Sequence, residues 1–223
     1  MRRHLLSSNG TRLAVGAIHN GGNGINSGHA RVFEYDGTDW AQLGEDIDGE
    51  AGGDQSGYSV ALSADGTRLA VGAKQNDGVN GIDSGHVHVF EYDGTDWVQL
   101  GGDVDGEAAN DQSGWSVALS ADGTRLAVGA IFNGGNGVNS GHTRVFEYDG
   151  ADWAQLGGDV DGEDASDQSG ASVALSADGT RLAVGAYVNG GVNGDFSGHA
   201  RVYDVCSTNE PTPTPTRATT TLP

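Results

Sequence analysis

Cysteine, proline, methionine and basic side chains are all scarce in this chain of 223 residues. A single cysteine, Cys206, excludes an internal disulfide. Only 11 Lys and Arg stand against 31 Asp and Glu, a net charge of −20, which repels phosphate backbones and anionic lipid surfaces. Nucleic acid is therefore excluded as a partner class. No apolar run approaches the roughly 18 residues that a membrane-spanning helix needs, so no membrane insertion by this chain is expected. Met1-Arg2-Arg3-His4-Leu5-Leu6 is basic, but its apolar stretch is too short for a signal peptide.

Glycine is abundant, with 39 residues, and much of it falls in a recurring block. Asp-Gly-Thr-Arg-Leu-Ala-Val-Gly-Ala, or a close variant, places its first glycine at Gly10, Gly66, Gly123 and Gly179, a spacing of 56 or 57 residues. A fixed period of this kind marks an array of similar units, here 1–56, 57–113, 114–169 and 170–205, followed by a tail at 206–223. That tail, Pro211 to Pro223, is rich in Thr and Pro and has the composition of an extended stalk or linker, which points to an extracellular setting.

Within the second unit four runs have strand character: Ser59 to Ser63, Leu69 to Ala73, His86 to Tyr92 and Trp97 to Leu100. Asp65-Gly66 separates the first two and Asp93-Gly94 the last two, and Asp-Gly is a strong hairpin signal because glycine accepts a positive φ. Each unit thus reads as a four-stranded antiparallel meander. Its first two strands carry small residues and its last two carry Phe90, Tyr92 and Trp97, the taper of a propeller blade that is narrow at the axis and wide outside. The fold class expected is all-β, a β-propeller-like array of about four blades. Trp40, Trp97 and Trp153 read as filler between blades.

The stretch from Gly57-Tyr58-Ser59 through Asp65-Gly66-Thr67-Arg68 to Gly72-Ala73 resembles the FG-GAP repeat of integrin α-chain-like β-propellers, in a variant with a Trp-bearing fourth strand. The phenylalanine of that motif is replaced by Ser56, Ser113 and Ser169. The resemblance implies a calcium loop in the hairpin between strands one and two, where this chain offers only Asp65, Asp122 or Asp178, too few oxygens for the ion. It also implies a seven-bladed parent, and the fourth unit has Cys206-Ser-Thr-Asn-Glu-Pro where a Trp strand should stand. An open arc, or a fragment of a longer protein, is the expectation, with self-association through its open blade faces.

Strand alternation sends the short turns to one face and the long 2–3 loops and blade-to-blade connections to the other. The long-loop face gathers most of the acids. They recur as Asp46, Asp48, Glu50, Asp54, then Asp103, Asp105, Glu107, Asp111, then Asp159, Asp161, Glu163, Asp167. Positions one, three, five and nine resemble an Asp-rich calcium loop, which makes these twelve candidate calcium ligands; the competing reading is a solvated loop whose carboxylates cap backbone N–H groups. Residues that break the repeat on the same face, Tyr58, Trp115, Lys74, Phe132, Tyr187 and Phe196, are the candidate ligand-binding set. The recurring His29, His86, His142 and His199 read as structural hydrogen-bonding residues, because equivalent positions in separate blades lie far apart. Arg12, Arg68, Arg125 and Arg181 read as partners of acids in the neighbouring short turns.

Repetition puts the same groups in every blade, whereas catalysis needs a unique convergence of different ones. The function expected is a non-enzymatic extracellular or cell-surface binding or adhesion module with a protein or glycan ligand. A structural spacer without a specific ligand is the alternative, and a glycan-active propeller enzyme the third reading.

Overall fold

The computed structural model describes residues 4–190, 194 and 196–205, so Cys206 and the Thr/Pro-rich tail lie outside the described residues. Every regular element described is a strand. The first blade comprises β1 (His4–Leu6), β2 (Arg12–Gly16), β3 (His29–Tyr35), β4 (Trp40–Gln42) and β5 (Ile47–Asp48). The second repeats the pattern as β6 (Ser59–Leu62), β7 (Arg68–Ala73), β8 (His86–Tyr92), β9 (Trp97–Gln99) and β10 (Val104–Asp105). In the third the strands are β11 (Ser116–Leu119), β12 (Arg125–Ala130), β13 (His142–Tyr148), β14 (Trp153–Gln155) and β15 (Val160–Asp161). The fourth has β16 (Ser169–Leu175), β17 (Arg181–Ala186) and β18 (His199–Asp204).

All strand pairs inside a blade are antiparallel neighbours in sequence, as in a meander, with one addition. β10 pairs with β8 at Val104↔Val87, while β9 pairs with the far end of the same strand at Tyr92↔Trp97. The outer strand therefore resumes after a break at Leu100-Gly101-Gly102-Asp103, where Gly101 takes a φ of +76°. The sequence signal is the alternation Asp-Ile/Val-Asp, whose central residue turns inward: Ile47 and Val104 are buried.

The turns are four residues long rather than two. Ser63 N–H donates to the Arg68 carbonyl across Ala64 to Thr67, with Gly66 at φ +73°. Asp65 organises this turn by accepting from the Ser63 hydroxyl at 2.6 Å and from the Thr67 N–H at 3.0 Å. Four-residue loops with a glycine in the left-handed region satisfy the same strand twist.

The hydrophobic core lies between blades. Ala14, Val32 and Ile47 of the first blade pack with Leu62, Leu69, Val71 and Trp97 of the second, and the same arrangement recurs at the next two seams. Trp97 and Trp153 reach back across their seams, their indole N–H groups donating to the carbonyls of Leu43 (2.9 Å) and Leu100 (2.8 Å). The glycine of Val-Gly-Ala explains itself at the same seams. A methyl group on Gly16, Gly72 or Gly129 would overlap the carbonyl oxygen of Gly57, Gly114 or Gly170, respectively, in the following blade.

Arg12, Arg68 and Arg125 also clamp neighbours, but their acid partners are not in the short turns. Direct cross-strand register places Glu34, Glu91 and Glu147 opposite them, with nitrogen–oxygen separations of 3.0 to 3.1 Å. Each guanidinium then donates onward to the glycine carbonyl of the next blade's turn, Gly66, Gly123 or Gly179. Seams join blade one to two, two to three and three to four, and the array is not closed into a ring. At the open end Leu5, Leu6, Tyr35 and Trp40 are exposed.

Candidate functional site

The twelve loop carboxylates occupy three different environments. The ninth position is buried and turned toward the backbone: Asp54, Asp111 and Asp167 accept from the N–H groups of Ala51, Ala108 and Asp164 at 2.9 to 3.1 Å. Each also accepts from an Asn of the next blade's 2–3 loop, Asn76 (3.2 Å), Asn133 (2.9 Å) or Asn189 (2.7 Å). These are cross-blade staples that fix the base of the long loops. The first positions, Asp46, Asp103 and Asp159, immediately precede β5, β10 and β15, and the third positions, Asp48, Asp105 and Asp161, end those strands. Because β5, β10 and β15 pair with the start of strand three, several of these carboxylates lie beside its histidine. The fifth position, Glu50, Glu107 or Glu163, crosses the seam instead: Glu107 and Glu163 approach His142 and His199 of the following blade, and Glu50 approaches His88. The four carboxylates of one loop are thus divided between a blade, its seam and its neighbour.

Among the described residues, three His–carboxylate clusters result. They are His29 with Asp46 and Asp48; Glu50 with His86, His88 and Asp103; and His142 with Glu107 and Asp159. The histidines recur in equivalent places but meet carboxylates of their own and the preceding blade, a convergence that blade spacing alone does not reveal. Burial drives the basicity of His29, His86 and His142 down, helped by the neighbouring cation or imidazole. His29 falls below its usual value, His86 is lowered to about 3 and His142 to about 4. Asp105, Glu107 and Asp161 move up, burial being the main cause.

The residue two positions after the histidine separates the clusters. Arg31 forms a two-pronged pair with Asp46 at 2.7 and 2.6 Å, and that bond holds the Asp46 carboxyl below its usual range. Arg144 faces Glu107 at 3.7 Å, and Arg201 pairs with Glu163. In the second blade His88 takes that position.

Four of the six candidate binding residues come together nearer the axis. Tyr58 and Trp115 begin the innermost strands of adjacent blades, with ring centroids 5.0 Å apart, and Phe132 meets the Trp115 edge at 6.1 Å. The Lys74 ammonium lies over both the Tyr58 and Trp115 rings, at 4.8 and 5.4 Å from their centroids. This cation–π cradle leaves Lys74 buried, and burial lowers its basicity against the opposing pull of Asp83. Tyr187 and Phe196 stand apart from it, exposed on the fourth blade.

A further feature escapes a residue-by-residue reading. Ile25, Ile82 and Val138 occupy one position at the tips of the 2–3 loops and are 85%, 66% and 75% exposed. A left-handed residue follows each, Asn26, Asp83 or Asn139, and turns the tip outward. The signal in the sequence is an apolar residue inside Asn-Gly-x-Asn/Asp-Ser-Gly, a context otherwise wholly polar. Between the second blade's tip and the Glu50 to Gln55 connection runs a groove of about 760 Å³, lined by Val79 and Ile82 above and by Glu50, His86 and Asp103 below.

Residues 47–90 and 104–146 match the FG-GAP repeat family. No curated protein matches the chain. Among solved structures, the β-propeller domain of the Trilobed protease from Pyrococcus furiosus, described as having an open velcro topology, is similar at 9% identity with a TM-score of 0.52. The match covers 92% of this chain and 54% of that one. KlAtg21, solved in complex with the coiled coil of AgAtg16, is similar at 11% identity with a TM-score of 0.63, over 97% of this chain and 57% of that one. The chain thus spans little more than half the length of these structures, and the likeness shows a shared β-propeller fold.

Proposed function

We propose that this chain, an arc of FG-GAP repeats folded as propeller blades, is a non-enzymatic extracellular or cell-surface binding module that takes its ligand on the long-loop face. FG-GAP propeller repeats fit a binding or structural module. The observation that carries the binding reading is the row of exposed aliphatic tips, Ile25, Ile82 and Val138, repeated on one face. Exposing an aliphatic side chain costs burial energy of about 1.5 to 3 kcal/mol each, and a repeated exposed apolar set on a rigid scaffold is how interaction surfaces are built. The stapled loop bases, through Asp54–Asn76 and Asp111–Asn133, hold the tips without the ligand and so reduce the ordering cost of binding. The acidic surround favours a ligand with basic groups at its rim. Calcium, proposed from the loop spacing, would act here only through surface carboxylates, since Asp54, Asp111 and Asp167 are committed to staples.

The test is an array of extracellular proteins and glycans probed with the full chain and with the triple variant Ile25→Ser, Ile82→Ser, Val138→Ser. A specific ligand bound by the parent and lost by the variant, with an unchanged melting curve, is the expected result. Turnover of any arrayed glycan would replace this reading with that of an enzyme, and retention of binding by the variant would move the site off the tips.

A further inference from the structure

Of the four strand-three histidines, only His86 is followed two residues later by another histidine. Residues two apart on a strand project to the same side of the sheet. The two rings accordingly lie 4.1 Å apart, and Asp103 and Glu50 close on them from the bulge of the same blade and from the preceding connection. One donor atom from each of the four lies within 4.8 Å of all the others.

We propose that Glu50, His86, His88 and Asp103 form a binding site for one divalent transition-metal ion of the zinc class, at the floor of the groove in the second blade. Two imidazole nitrogens and two carboxylate oxygens make the four-donor set that zinc takes in tetrahedral sites, with bonds of about 2.0 to 2.2 Å. Calcium and magnesium prefer all-oxygen shells, so the two nitrogens select against them.

Two further observations point to an ion. His88 Nε2 is 3.0 Å from an Asp103 oxygen and 4.0 Å from a Glu50 oxygen, yet this buried nitrogen makes no hydrogen bond of acceptable geometry. The donors share a neighbourhood without satisfying one another. In the first, third and fourth blades the residue at the His88 position is Arg31, Arg144 or Arg201, and its guanidinium pairs with a nearby carboxylate. The second blade lacks that cation while keeping the carboxylates, so a bound dication would supply the missing positive charge.

The experiment is titration of the chelator-treated full chain with Zn²⁺ by calorimetry and with Co²⁺ by visible absorption. The expected result is one ion per chain, with the intense visible bands of tetrahedral Co²⁺. His88→Arg installs the residue present in the other blades, so it should keep the metal-free melting curve while losing both signals. Asp103→Asn should weaken binding without touching the histidines. Arg144→His, which rebuilds the second blade's pattern beside His142, Glu107 and Asp159, should raise the stoichiometry from one to two. Absence of Zn²⁺ binding by the parent chain, equal binding by His88→Arg, or displacement of Zn²⁺ by equimolar Ca²⁺ would each overturn the site. None of these outcomes bears on the apolar tips, so the binding function stands or falls separately.

Discussion

Trp40 and Trp97 occupy the same position in consecutive units, yet Trp40 is 39% exposed and Trp97 only 8%. Both pack against a tyrosine of their own blade, Tyr35 at 5.3 Å and Tyr92 at 5.4 Å. The difference is the preceding blade. Trp97 has Leu43 to pack on and its carbonyl to donate to, whereas Trp40 has no such cross-blade partner among the described residues. In this array burial is conferred by the neighbour, so each seam adds an interface term to what the units contribute by themselves. The same contrast separates Gly72, pressed against Gly114 of the next blade, from Gly185, whose added methyl would meet first the Ser172 hydroxyl of its own blade.

The largest effect that could break this comparison is at the tryptophans. Trp97→Ala should cost about 3 to 5 kcal/mol, as for a buried aromatic, while the surface-like Trp40→Ala should cost about 1 kcal/mol or less. Urea unfolding of the two variants measures this, and equal losses would show that the blades are stable alone. A smaller effect follows at the seam glycines. Gly72→Ala forces a methyl group onto a backbone carbonyl and should cost about 1 to 3 kcal/mol, with Gly185→Ala well below it because a serine hydroxyl can rotate away. A reversal of that order would mean that the seams yield freely.

The smallest effect concerns acid. Asp178 caps the outermost turn, accepting from the Ser176 hydroxyl at 2.5 Å and the Thr180 N–H at 3.0 Å, and these bonds depress its carboxyl from the usual 3.8 to about 2. At Asp65 and Asp122, inside the array, burial works against the same bonds. A carboxyl depressed by folding contributes stability that is fully present above its unfolded value and is lost as pH falls from about 3.8 toward about 2. An NMR titration should therefore find Asp178 still ionised at pH 3. Asp178→Asn should remove that increment of acid sensitivity, since Asn9 makes the equivalent turn in the first blade without a charge, accepting from Ser7 at 2.8 Å and Thr11 at 3.0 Å. A normal carboxyl titration at Asp178 would mean that the turn hydrogen bonds are not maintained at the open end.

Much of the fold is legible in the repeat because strand alternation and turn chemistry are local. Ser-Val-Ala-Leu followed by Ala-Asp-Gly-Thr dictates a strand and a turn wherever it occurs, and the first two strands of the second blade fall within a residue of their expected bounds. The candidate site was legible only in part. Tyr58, Lys74, Trp115 and Phe132 stand out by interrupting the period, but the cradle they form depends on two blades meeting. The acidic segments look like wrapping loops because Asp at alternate positions suits either a loop or a strand. Inward-facing Ile47 and Val104 decide for the strand, and with it send the carboxylates toward the histidines.

The sequence by itself determined the period, displayed by one block recurring every 56 or 57 residues, the sign of the charge, set by composition, and the meander and the face of the long loops, which follow from turns and strand alternation among near neighbours. Tertiary structure alone decided which copies of a repeated residue are buried, which carboxylate meets which histidine, and that His88 faces Glu50 from the preceding connection rather than an arginine's partner. Those outcomes rest on contacts between residues some fifty positions apart, such as Trp97 with Leu43, which form only when one blade packs on the next.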